Sequence, residues 1–183
     1  MNPCAATVSR VEGRSAPAGA DLPILAALIA LAALPLLDGR APLGLVYVPS
    51  LVADGEWWRI ITHAFAHVSL YHFAVDAGAF LMLYHQLRPL GVTRRLLIAA
   101  AASAGSLAAA HLVPDLYAKG LCGLSGAAHG LMAALGLDMA LRGAGRERTS
   151  GLASLVLVAG KSLIEAATGS RSEEHTSELQ SRQ

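Results

Sequence analysis

The chain has 183 residues, of which 54% are hydrophobic and only 15% are charged, and its formal net charge is +1. A single soluble domain of this size cannot bury so large an apolar share, so the composition excludes an ordinary water-soluble domain. It predicts that many apolar side chains face lipid.

Residues 1–20 contain mainly Ala, Ser and Gly with two arginines, Arg10 and Arg14. Nothing in this stretch can build a core, so we expect a flexible cytoplasmic tail. A secretory signal peptide is the alternative, because basic residues precede an apolar run. That reading is disfavoured, since Leu37 to Arg40 (LDGR) interrupt any small-x-small cleavage pattern.

Apolar residues are grouped in five blocks, at residues 22–37, 70–87, 96–113, 121–141 and 152–168. Each block approaches the roughly 20 residues that a helix needs to cross a bilayer. Backbone groups in hydrocarbon must bond within their own segment, and the Ala- and Leu-rich composition favours helix over barrel strands. The predicted fold class is therefore all-α, a polytopic membrane helix bundle formed by residues 21–170.

Basic residues predict the orientation, because short loops rich in Lys and Arg stay in the cytoplasm. One side of the predicted bundle has eight of them: Arg10, Arg14, Arg88, Arg94, Arg95, Arg142, Arg146 and Arg148. The other side has three: Arg40, Arg59 and Lys119. We therefore expect a cytoplasmic N-terminus. Residues 41–69, which include Tyr47, Trp57 and Trp58, should lie in the outer interface.

The last stretch, residues 171–183 (RSEEHTSELQSRQ), is polar apart from Leu179 and directly follows an apolar block. Its sequence resembles the translation of a sequencing-library adapter, so we interpret it as an artefact and exclude it from the fold. A genuine solvated tail is the alternative.

Ionisable groups within membrane spans are costly and therefore point to function. His72 and Asp76 lie four residues apart on one helical face of the second block, and His67 precedes them. The fourth block contains Ser125 next to Gly123 in the run GLSGAAHG. If a helix begins at this serine, its free amides and positive dipole end would favour an oxyanion.

Taken alone, the GLSG run is weak evidence for catalysis. Gly126 and Gly130 also have the small-xxx-small spacing that lets membrane helices approach closely. Ser125 in isolation is therefore more often a packing residue.

The combination is more specific: WRIITHAFAH at residues 58–67, then His72 and Asp76, then GLSG in a later span. This combination resembles the rhomboid family of intramembrane serine proteases, over residues 58–141. The resemblance implies a bundle of six membrane helices, of which five are expected here, with Ser125 as nucleophile. His72, Asp76 and Gly123 would support the oxyanion, and His67 and His129 are candidates to line the cavity.

Within the family, the short core and the GLSGAAHGL run look most like the rhombosortase branch. That likeness would imply cleavage of secreted or membrane-anchored proteins near a C-terminal glycine-rich sorting signal. It also implies residence in a bacterial inner membrane, with lipid and protein substrates as partners. No cofactor, metal or nucleic acid is expected, and the spacing of His63, His85 and His111 does not describe a metal site.

Two departures from the family pattern stand out. The family has Asn where this chain has Asp76, and an ionised carboxylate beside an oxyanion opposes catalysis. Asp76 either stays protonated and donates a hydrogen bond, or pairs with a charged His72, or only bonds a neighbouring helix; we favour the pairing with His72. The family's general base, a histidine on the sixth span, is also absent from this chain.

Other histidines are poor substitutes for this base. His175 lies in the adapter-like tail, and His129 follows Ser125 on the same helix, where side chains seldom meet as nucleophile and base. We therefore expect the 183-residue product to be an inactive fragment of an endopeptidase. The alternatives are a rhomboid-like protein that binds membrane clients without cleaving them and, less favoured, a small transporter that uses His72, Asp76 and His129.

Overall fold

The chain folds as an all-helical bundle, as predicted from its composition. A computed structural model describes residues 19–111 and 120–168. Within these ranges the only non-helical pairing is one isolated antiparallel bridge between Tyr47 and Leu121. Most of the predicted tail and the whole of the segment 171–183 lie outside the described residues.

Seven α-helices are present in the described ranges. They are α1 (Asp21–Ala32), α2 (Pro49–Ala53), α3 (Arg59–Thr62), α4 (Leu70–Gln86), α5 (Val92–Ala110), α6 (Ser125–Arg142) and α7 (Arg146–Thr168). Single 3₁₀ turns occur at Leu34–Asp38, Leu43–Leu45 and His63–Phe65.

Helix α4 has nearly the bounds predicted for the second block. Ser69 has extended backbone angles, and its hydroxyl accepts a 3.1 Å hydrogen bond from the His72 amide. A serine in this position satisfies one of the free amides of the first turn and fixes where the helix begins. This start places His72 and Asp76 on successive turns of the same face.

Other elements differ from the predicted blocks, among them α5, which begins at Val92 instead of residue 96. α6 begins at Ser125 instead of residue 121, because Leu121 is held in the bridge to Tyr47. α7 begins at Arg146 instead of residue 152, since its polar first turn is helical and only residues 143–145 form the connection. The first block is regular helix only to Ala32, and Pro35, which has no amide hydrogen, lies in the 3₁₀ turn that follows.

Helix α6 is the central element and packs against α4, α5 and α7. Gly126 and Gly130 lie on its α5 face, where an added Cβ would collide with Ser106 and Ala102. The small-xxx-small spacing thus permits close helix contact, the packing role that the sequence suggested for it. Ser125 itself lies at the end of α6 that meets α4.

One helical segment, Asp21–Asp38, is long and apolar enough by itself to cross a membrane among the described residues. The pair Arg59–Phe65 and Leu70–Gln86, bent by 99°, would be a second if it forms one span. The count of five spans therefore remains a prediction. Large apolar side chains are exposed along the long helices, among them Leu28, Leu97, Leu141, Leu157 and Leu163.

A buried polar cluster joins three helices at the start of α1. Asp21 accepts hydrogen bonds from the Tyr84 hydroxyl at 2.6 Å and from the Arg95 guanidinium at 2.7 Å. The Arg95 guanidinium also lies 5.6 Å from the centre of the Tyr84 ring. The sequence analysis placed Arg95 in a cytoplasmic loop, which is wrong: it lies in α5, 3% exposed, and forms an ion pair with Asp21.

Candidate active site

Ser125 is the first residue of α6 and faces α4. Its backbone amide donates a 3.0 Å hydrogen bond to Oδ2 of Asp76 on α4. Among the described residues, its hydroxyl has no hydrogen-bond partner. The serine thus combines a free hydroxyl with an amide at a helix start, where partial positive charge is concentrated.

His72 and Asp76 meet Ser125 from α4. Nε2 of His72 lies 3.0 Å from the same Oδ2 of Asp76 that accepts the Ser125 amide. The i,i+4 spacing therefore brings these two side chains together, as predicted, and α6 adds a third group from another helix. Asp76 therefore contacts His72 and also accepts a hydrogen bond from a neighbouring helix, and these contacts leave its role as a prediction.

Gly123 lets the loop before α6 approach this pair closely. Its φ is +90°, a backbone conformation that residues with a Cβ rarely adopt, and its amide donates to the carbonyl oxygen of His63 at 2.9 Å. A Cβ at this position would lie 2.6 Å from Asp76 Oδ2 and 3.2 Å from His72 Nε2. Only glycine therefore fits between the loop and the two side chains.

Replacing Gly123 with alanine should lower the free energy of unfolding by about 1–3 kcal/mol, because the new methyl group is strained and displaces Asp76. Thermal unfolding of the purified protein in detergent measures this loss. Gly160→Ala is the matched control: Gly160 is helical, an added Cβ there meets open space, and the change should be neutral or stabilising. Equal stability of the two variants would contradict the expectation.

His67 and His129 lie at the edges of the site. His67 is 1% exposed, its Nδ1 donates to the Phe65 carbonyl at 3.2 Å, and its Nε2 is 3.9 Å from Asp76 Oδ2. Burial lowers the pKa of His67 below its ordinary value, although the Asp76 charge acts in the opposite direction. A neutral ring that donates through Nδ1 has no hydrogen on Nε2.

The ring of His129 forms a hydrogen bond with the backbone of its own helix. Its Nδ1 lies 2.7 Å from the Ser125 carbonyl oxygen, and because a carbonyl only accepts, the ring must donate there. This contact turns Nδ1 toward the backbone of α6 and away from the role of a base for the serine hydroxyl. His175, the other histidine that the sequence analysis set aside, lies outside the described residues.

Sequence reasoning missed the residues that fix the loop before α6. Tyr47 exchanges two backbone hydrogen bonds with Leu121, at 2.9 and 2.8 Å, and its hydroxyl lies 2.7 Å from Nε2 of His111. The bridge joins the 41–69 region to the segment that leads into Ser125. Its only sequence signal was the run of β-branched and aromatic residues at 46–48 (VYV), which is too short to identify a strand.

Arg59 fixes the same region from inside. It is buried, pairs with Glu56 at 2.6 Å, and donates to the carbonyl oxygens of Leu43 and Val46 at 3.0 and 2.7 Å. These bonds satisfy backbone acceptors of an irregular segment that has no ladder of its own. Arg59 was read from the sequence as an outer-loop charge, whereas it is a structural residue of the site's framework.

Comparison with known proteins gives one match. The Rhomboid domain family matches residues 54–172, which include α3 to α7 and all of the residues assembled around Ser125. No significant match was found among curated proteins or solved structures. Because the matched region covers more than half of the chain, the chain belongs to the rhomboid family of intramembrane serine proteases and is a membrane protein.

Proposed function

We propose that this chain carries the nucleophile of an intramembrane serine endopeptidase. The observation that supports it best is the convergence of Ser125, His72 and Asp76 at the start of α6, within a rhomboid domain. The Ser125 hydroxyl attacks the substrate carbonyl, and the Ser125 amide and His72 donate hydrogen bonds to the oxygen that becomes negative. Family resemblance assigns proton removal from Ser125 to a histidine on a further helix.

The site suits the outer face of a membrane. Trp57 and Trp58, which are 66% and 41% exposed, lie in the same region as the site's framework residue Arg59. Exposed tryptophans favour the boundary between hydrocarbon and headgroups. Placing that boundary here brings water near Ser125, which hydrolysis of an acyl-enzyme requires. In this orientation the N-terminus is cytoplasmic, in a bacterial inner membrane.

The substrate class we propose is a membrane-anchored or secreted protein with a C-terminal glycine-rich sorting signal, as in the rhombosortase branch. A protease in lipid must convert helix to extended chain before its serine reaches a carbonyl. Glycine makes this conversion easier, because it is disfavoured in helices by about 1 kcal/mol relative to alanine. A glycine-rich segment therefore presents its backbone to Ser125 at low cost.

Two reporters test this proposal in cells that express the full-length protein. One reporter ends in a glycine-rich membrane tail, and the other has leucines in place of the tail glycines. We expect cleavage of the first only, because the leucine tail stays helical. Absence of any cleavage would defeat the protease assignment, and equal cleavage of both would defeat the substrate class.

A specific contact favours a second candidate, a rhomboid-like protein that binds membrane clients without cleaving them. The Ser125 amide, which an oxyanion would need, is already bonded to Asp76. A binder would co-purify with intact clients and would leave both reporters uncut.

A further inference from the structure

The Oδ2 atom of Asp76 lies where the Ser125 amide and the rings of two histidines converge. The Ser125 amide and Nε2 of His72 are each 3.0 Å away, and Nε2 of His67 is 3.9 Å away. Asp76 is 5% exposed, and the close approach of Gly123 leaves no room for a methyl group beside it. One carboxylate oxygen thus fills the space at the start of α6.

The groups around Asp76 come from every segment packed against it. His72 is on α4, and His67 is in the turn before that helix, where its Nδ1 donates to the Phe65 carbonyl. On α6, the ring of His129 donates to the Ser125 carbonyl. In the 3₁₀ turn that follows α3, the backbone oxygen of His63 accepts a hydrogen bond from the Gly123 amide. Among the described residues no Lys or Arg forms an ion pair with Asp76.

An oxyanion formed at Ser125 would need the Ser125 amide, which now donates to Asp76. Preorganised amides at a helix start stabilise the negative oxygen of a tetrahedral intermediate, but one N–H serves one acceptor at full strength. Two negative oxygens in this buried space would also repel each other. The resident carboxylate and the reaction intermediate are therefore mutually exclusive.

We propose that Asp76 is an internal anion that occupies the oxyanion site in the resting protein and must release the Ser125 amide before the serine can react. This inference rests on the proposed protease function and states that Asp76 inhibits it in the resting protein. Asp76 is then a positioning residue that stabilises the start of α6 and the orientation of His72. The same contacts lower the rate of substrate cleavage. The sequence analysis grouped it with the oxyanion-supporting residues, and this proposal gives it the opposite effect.

Replacing Asp76 with asparagine distinguishes the effect of the negative charge at this position from the effect of the side chain's shape. Its side chain has nearly the same volume, carries no charge, and has an amide that donates to an oxyanion. In the full-length protein, Asp76→Asn should raise kcat/KM for the glycine-tailed reporter by about tenfold or more. Asp138→Asn is the matched control, because it makes the same change at an exposed carboxylate of α6 that forms an ion pair with Arg142.

Adding Ser125→Ala to each variant distinguishes failure of the inference from failure of the function. A gain that the second substitution abolishes supports both. Cleavage that depends on Ser125 but is unchanged or slower in Asp76→Asn overturns the inference alone. If no variant shows Ser125-dependent cleavage, the proposed function is wrong, and the inference that rests on it is wrong as well.

Amide hydrogen exchange tests the contact without any need for activity. In Asp76→Ala the Ser125 amide loses its acceptor and should exchange at least about tenfold faster than in the unaltered chain. The amide of Leu131, buried in the interior of α6, and the Asp138→Asn variant should show no change. Unchanged protection at Ser125, or equal loss at Leu131, would overturn the proposal.

Discussion

Replacing Ser125 with alanine should reduce cleavage of the glycine-tailed reporter by roughly 10³-fold or more. Removing the nucleophile from a serine hydrolase eliminates the covalent pathway and leaves only the contribution of binding and of oxyanion donors. The measurement is the initial cleavage rate with the full-length protein. Activity within twofold of the unaltered protein would show that Ser125 does not attack the substrate.

The variant is well suited to this test because the Ser125 hydroxyl has no hydrogen-bond partner within the described structure. Its removal should leave the backbone contact with Asp76 and the start of α6 intact, so the midpoint of thermal unfolding should be unchanged. Ser162→Ala is the matched control, since Ser162 is an exposed serine of α7. It should retain full cleavage.

The same pair of variants separates protease from binder. A protease that loses its nucleophile should still hold its substrate, so Ser125→Ala should co-purify with more intact reporter than the unaltered protein does. A binder should retain equal amounts of reporter with and without Ser125. The amount of reporter retained therefore discriminates the two functions even where cleavage is slow.

The parts of the fold that could be predicted from the sequence depend on local chemistry. Apolar blocks predicted the long helices, and α4 was placed to within a residue because Ser69 caps it. The i,i+4 spacing of His72 and Asp76 fixed their common face before any tertiary contact was known. These features need only the rules of a single helix.

The features that were missed depend on contacts between distant segments. α6 begins four residues late because Tyr47, more than 70 positions earlier, holds Leu121 in a bridge. The bond from Ser125 to Asp76 joins residues 49 positions apart. Sequence periodicity carries no information about such a contact. The sequence therefore identified Ser125 and Asp76 as candidate site residues but did not show that Asp76 accepts a hydrogen bond from the Ser125 amide.

Replacing Arg95 with methionine should lower the free energy of unfolding by about 2–3 kcal/mol. The substitution removes a buried, charge-assisted hydrogen bond and leaves the Tyr84 hydroxyl as the one side-chain partner of the Asp21 carboxylate among the described residues. Methionine conserves the apolar stem, so the loss reports the charge more than the packing. Unfolding of the protein in detergent micelles measures it, and Arg94→Met, at an exposed position of the same helix, is the control.

A double-mutant cycle distinguishes a lost ion pair from a general loss of packing. If Asp21 and Arg95 stabilise each other, Asp21→Asn combined with Arg95→Met should cost clearly less than the sum of the single losses. Breaking one partner of a buried pair leaves an uncompensated charge, whereas removing both does not. Strict additivity would mean that the two residues act independently. Coupling would instead show that the end of the bundle opposite Ser125 is held by electrostatics between α1 and α5.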